Sequence, residues 1–178
     1  MRFMDGNRLT ISTPTDREVM LSRDFDAPPS LVFDALTKPE LLKRWYGPTG
    51  WTMEVCEIDL RVGGKWRFVS RNPNGKVIGQ FGIYHEIERP LRLVNTESWE
   101  DWEAGETLVT NLLASDNGRT RLASTIRFPS REVRDVVLKS GLEHGAEAGY
   151  QKLAEVLGEI QHTQGGNNAT DHTVSYVQ

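Results

Sequence analysis

Apolar and polar positions alternate with a period of two at Val19, Leu21, Arg23 and Phe25 against Met20, Ser22 and Asp24, which predicts a β-strand. Ala27-Pro28-Pro29-Ser30 ends it, and Ser30 has the side chain of a helix N-cap. Leu31, Val32, Phe33, Ala35 and Leu36 then read as a short helix. Pro39 suits the first turn of a second one, Glu40 to Trp45. Beyond the Gly47-Pro48-Thr49-Gly50 loop, period two returns and persists to Phe128. Strands are expected from Trp51 to Glu57, Lys65 to Arg71, Val77 to Ile87, Leu91 to Trp99, Thr107 to Ala114 and Thr120 to Phe128. Tight-turn sequences join several of them, Asn72-Pro73-Asn74-Gly75 and Asp116-Asn117-Gly118 among them, so the sheet of about seven strands is expected to be antiparallel.

From Ser130 the period lengthens. Leu138, Leu142, Ala146, Tyr150, Leu153, Leu157 and Ile160 recur at three- and four-residue spacing, the apolar stripe of one long helix. Gly141, Gly145 and Gly149 lie one turn apart beside it. Interior helical glycine costs about 1 kcal/mol against alanine, so the series implies a close approach or a bend. Gln161 to Gln178 is rich in Gly, Asn, Thr and His and has little to bury. The expected organisation is one domain over residues 1–160 and a disordered tail over 161–178.

A strand, two short helices, an antiparallel run and a terminal helix make an α+β layout. Its aromatic residues crowd one region of that layout. Trp45, Trp51, Trp66, Phe68, Phe81, Trp99 and Phe128 fall mostly on one pleat face or at the end of the short helices. A solid core would use some of them. Together they exceed what a sheet–helix interface needs, which favours an apolar cavity as the ligand site. Trp99 and Trp102 stand among Glu97, Glu100, Asp101, Glu103 and Glu106, a segment read either as a lid or as a hairpin tip.

Composition narrows the function classes. With a formal net charge of −4 and no long Lys/Arg run, nucleic acid and anionic membranes are not expected partners. A single cysteine, Cys56, permits no intramolecular disulfide, which fits a reducing compartment. The N-terminal residues do not look like a secretory signal, and no apolar run approaches the ~20 residues of a membrane span. A cytoplasmic location is expected.

Candidate chemistry is sparse. There is no nucleophile elbow, phosphate loop or His-Glu-x-x-His sequence. The four histidines do not cluster at metal spacing, so no metal and no cofactor is expected. His85 is the one histidine in a strand. Strict alternation puts it with Phe81, Ile83 and Ile87, pointing into the cavity as a weak candidate base, unless a bulge near His85-Glu86 reverses it.

Arg23-Asp24-Phe25-Asp26-Ala27-Pro28, Val32-Phe33-Asp34-Ala35-Leu36-Thr37 and Arg44-Trp45-Tyr46-Gly47-Pro48 together resemble the opening of the SRPBCC (START-like, Bet v 1-like) superfamily. Asp59-Leu60-Arg61, Gly63-Gly64-Lys65-Trp66-Arg67-Phe68 and the segment Ser130 to Leu157 narrow the likeness to the branch similar to the C-terminal domain of the activator of Hsp90 ATPase. The resemblance implies a helix-grip fold with a deep cavity between sheet and long helix, in a superfamily that binds or transforms lipids, sterols and polyketides. Tyr46 stands where relatives often carry Trp. Three functions are then open. The first is binding of a small apolar or aromatic molecule by Trp45, Tyr46, Trp51, Trp66, Phe68, Phe81, His85, Trp99, Phe128, Leu142 and Tyr150. The second is a cyclase or hydrolase in the same cavity using His85, and the third is interaction with a chaperone.

Overall fold

The computed structural model describes residues 7–103 and 105–168. Its elements run β1 (Thr10–Ser12), β2 (Glu18–Phe25), α1 (Pro29–Thr37), α2 (Pro39–Trp45), β3 (Thr52–Ile58), β4 (Lys65–Arg71), β5 (Val77–Glu88), β6 (Arg92–Trp99), β7 (Thr107–Asp116), β8 (Arg119–Arg127), α3 (Arg131–Lys139) and α4 (Leu142–Asn168). The strands form one antiparallel sheet in the order β1-β2-β8-β7-β6-β5-β4-β3. From β3 to β8 the chain simply meanders. The step from β2 to β3 crosses the whole width of the sheet, and α1 and α2 make that crossing. Curvature of the sheet and the long helix α4 complete the helix-grip fold.

The eighth strand is β1, three polar-leaning residues on the sheet edge that carry too short a pattern to be read in advance. Two helix boundaries also differ from expectation. Helix α1 starts at Pro29 with Pro28 as its N-cap, so Ser30 lies inside the first turn. Proline fits there because the first-turn N–H groups have no intrahelical partner. The helix expected from Ser130 is two helices. Ser130 does cap α3, accepting the Val133 N–H at 3.3 Å. The break follows at Ser140-Gly141, where Gly141 takes φ +93°, the left-handed conformation that ends helices. The apolar spacing stays in phase across the break and therefore hides it.

Helix α4 continues to Asn168, into the segment expected to be disordered, and residues 169–178 lie outside the described residues. The Gln161 side-chain amide donates to the Asp26 carbonyl and ties that extension to the loop after β2. The core sits between α4 and the sheet, where Leu153 and Leu157 meet Val19, Phe25 and Leu122, with Val32 and Phe33 of α1 closing one end. Among the described residues no helix is long and apolar enough to cross a membrane.

Candidate functional site

Alternation along the strands builds a wall. Every second residue of β6 (Leu93, Asn95, Glu97, Trp99) turns to the concave face, and so do Trp66, Phe68 and Ser70 of β4, and Ser124, Ile126 and Phe128 at β8. With α2 and α4 they enclose a cavity of about 780 Å³, within the 300–1,000 Å³ range of small-molecule sites. Trp45 and Tyr46 pack edge to face at 5.5 Å, Tyr46 meets Phe68 at 5.3 Å, and Phe68 meets Trp66 at 4.7 Å. The aromatic chain lines one side continuously. Trp45 is fixed by its indole N–H on the Ala35 carbonyl (2.9 Å), Trp66 by its own on the Thr96 carbonyl (3.2 Å).

Helix α4 forms the roof with Leu142, Ala146 and Tyr150. Gly145 and Gly149 face the same space, and a Cβ built on either meets nothing within 4 Å. The glycine series therefore hollows the roof; no backbone or side chain approaches it. Because both residues have helical backbone, alanine at either position removes conformational freedom from the unfolded chain at no steric cost. Gly145→Ala and Gly149→Ala are each expected to stabilise the fold by about 0.5–1 kcal/mol. Chemical denaturation checks this, and a destabilised variant would show that the roof is packed.

The mouth lies between the β6–β7 loop and the α3–α4 junction. Trp102 on one side and Val136, Val137 and Ser140 on the other line it, and Trp102 and Val136 are exposed. No residue of helix α3 is fully buried, and only Val133, Val137 and Leu138 rest partly against the core.

Polar groups interrupt the apolar wall at chosen points. The Ser124 hydroxyl donates to Asn111 Oδ1 at 2.6 Å and lies 3.0 Å from the Tyr150 hydroxyl, a short chain under α4. Desolvation pushes the Tyr46, Tyr84 and Tyr150 hydroxyls up from the ordinary tyrosine value, so all three are neutral donors. Among the described residues Glu97 is the one carboxylate in the lining. Trp99 Nε1 donates to its Oε1 at 3.2 Å, which favours the charged form, but burial dominates and its pKa is pushed up to about 7. The folded state therefore holds a proton that the unfolded chain has lost between pH ~4.5 and ~7. Stability conferred by that proton is present below pH ~4.5 and declines as pH rises through 7. Glu97→Gln is expected to flatten this decline and to be the more stable protein at pH 8. Equal stability differences at pH 5 and pH 8 would count against it.

Of the residues expected at the site, the structure brings together Trp45, Tyr46, Trp66, Phe68, Trp99, Phe128, Leu142 and Tyr150. Three lie elsewhere. Phe81 and His85 project from the other face of the sheet, both exposed, because the inward face of β5 carries Gln80, Gly82 and Tyr84. The bulge between Tyr84 and Glu86 falls on His85 itself, which is left exposed as the extra residue while the pairing resumes at Glu86↔Val94 and Ile87↔Leu93. Trp51 precedes β3 on the turn closed by its N–H to the Pro48 carbonyl, outside the cavity wall. Sequence reading passed over Gln80, Asn95, Glu97, Asn111 and Ser124. The same two-residue period that located Trp99 contains Glu97 and Asn95. Cys56, half-buried on β3, has its thiol pushed up by desolvation, the opposite of an activated nucleophile. Among the described residues no three His, Cys, Asp or Glu side chains come together to hold a metal.

The family model for the Activator of Hsp90 ATPase homolog 1-like protein matches residues 26–158, from the loop after β2 to the last turns of α4. The chain belongs to this family. Among solved structures, a Rhodobacter sphaeroides protein is 32% identical with a TM-score of 0.82, the alignment covering 85% of this chain and 99% of that one. A Nitrosomonas europaea protein is similar at 25% identity and a TM-score of 0.76, over 84% and 99% of the two chains. The AHSA1 protein of Silicibacter pomeroyi, 23% identical with a TM-score of 0.66 over 80% and 99%, shares the fold. No curated protein matches. The matched segment of the family contains every strand that lines the cavity except β2.

Proposed function

We propose that this protein binds a small apolar or aromatic molecule in the cavity between its sheet and α4. The observation that carries the reading is the open-mouthed cavity of about 780 Å³, walled by a continuous aromatic chain and roofed by unfilled glycines. A core selected for stability alone closes such space, because each lost contact costs packing energy. The polar atoms inside are few and placed on alternate positions of neighbouring strands, as expected of groups that orient a bound molecule.

Catalysis built on His85 has no support, since that ring lies across the sheet from the cavity. Chaperone interaction is supported by family membership alone.

The uncharged fluorophore N-phenyl-1-naphthylamine tests the binding reading. It is expected to bind one per chain with low-micromolar affinity and to quench tryptophan emission. Gly149→Leu, which places a side chain in the open roof, is expected to weaken it at least tenfold. Absence of saturable binding by the unmodified protein, or unchanged affinity in Gly149→Leu, would remove the cavity as the site.

A further inference from the structure

Charge inside the cavity is one-sided. Glu97 lines it, and among the described residues no Lys, Arg, His or Asp does so. The Trp99 indole occupies Oε1, while Oε2 has no hydrogen-bond partner among the described residues. Around this carboxylate stand Trp99 itself, Tyr46, and Trp66 across the bare backbone of Gly82. Aromatic faces attract a cation, and more strongly once it is desolvated. A carboxylate with a free oxygen in an aromatic enclosure is a receptor for a protonated amine.

The surroundings agree in sign. The β6–β7 loop at the mouth adds Glu100, Asp101, Glu103 and Glu106, all exposed. From the helical side come Lys139, Glu143 and His144, also exposed. Glu100 is spoken for by Arg67, whose guanidinium reaches it at 2.8 Å from β4. Arg23 is buried on the concave side of β2 but donates to Gln151 and lies outside the lining. Resting on the cavity reading above, we infer that the natural occupant is an amphiphilic amine, its aromatic or aliphatic body against the tryptophans and its ammonium on Glu97, and that carboxylates of the same size are rejected.

The other titratable groups in the lining, among the described residues, are Tyr46 just after α2, Tyr84 on β5 and Tyr150 on α4, all held neutral by burial. Amine affinity is therefore expected to rise between pH 6 and pH 8 as Glu97 ionises, opposite to the trend for an acid.

Three probes sharing one apolar body separate this inference from the reading beneath it: 2-(1-naphthyl)ethylamine, 2-(1-naphthyl)ethanol and 1-naphthaleneacetate, titrated calorimetrically at pH 7.5. The expected order is amine over alcohol over acid, with at least tenfold between amine and acid. Glu97→Gln is expected to cost the amine at least tenfold and to leave the alcohol within twofold. If the alcohol binds while the acid equals or exceeds the amine, the cavity stands and its preference for amines is wrong. An amine preference that survives Glu97→Gln unchanged overturns the assignment to Glu97. If none of the three binds, the cavity reading and this inference fall together.

Discussion

Gly82→Ala is expected to lower stability by about 3 kcal/mol or more, the cost of forcing an atom into a full site together with a lost buried hydrogen bond. A Cβ built at Gly82 lies 1.8 Å from the Thr96 carbonyl oxygen and 2.7 Å from Trp66 Nε1. Both are atoms that cannot swing away, since one is backbone and the other is a ring donating to that same carbonyl. The φ of Gly82 lies outside the left-handed range, so the cost is steric. Gly82 is flanked by the β5–β6 pairs Gln80↔Trp99 and Tyr84↔Asn95, and the Ile83 N–H between them bonds to the Thr96 hydroxyl at 3.1 Å. The methyl group must therefore displace either the strand or the Trp66 ring, and both belong to the cavity wall. Thermal unfolding is the measurement, with a fall of ~6–12 °C expected at ~2–4 °C per kcal/mol for a chain of this size. A change within 1 °C would mean that β5 and β6 are further apart here than described.

Leu153→Ala carries the second large effect, about 3–4 kcal/mol. Leu153 is fully buried where α4 presses on the sheet, and with Leu157 it holds the roof that the cavity requires. The informative comparison is Val136→Ala on α3, a side chain 58% exposed, for which a change within ~0.5 kcal/mol is expected. Urea titration of the two variants should separate them by at least 2 kcal/mol. Similar losses would show that α3 is anchored as firmly as α4.

Much of this architecture was legible because it is periodic. The strands from β3 to β8 follow their two-residue alternation, and five of the seven aromatics grouped from the sequence fall in described strands or helices, with Trp51 and Phe128 one residue outside β3 and β8. What failed was the choice of face on β5. Phe81 and Ile83 are the greasier set before the bulge and predict the inward face there, whereas only Ile87, beyond the bulge and paired with Leu93, packs on the core as its spacing predicts. The inward set is Gln80, Gly82 and Tyr84, because a cavity wall is shaped by what must fit against Trp66 and Thr96 and by which polar groups must be reached. Glu97 was hidden for a related reason. Beside Glu100, Asp101, Glu103 and Glu106 it looks like one more surface acid, and only its register with Asn95 and Trp99 marks it as interior. The division of α3 from α4 is conformational, made at one glycine, and leaves no trace in the apolar spacing.

That division has a kinetic consequence. Helix α3 contributes no fully buried residue, rests Val133, Val137 and Leu138 partly against the core between the Ser130 cap and a left-handed glycine, and stands over the mouth. Its backbone amides belong to the class that exchanges with solvent through local opening, while those of α4 and the central strands wait for global unfolding. A molecule leaving the proposed cavity would pass this short helix, and the sheet beneath it would not have to come apart.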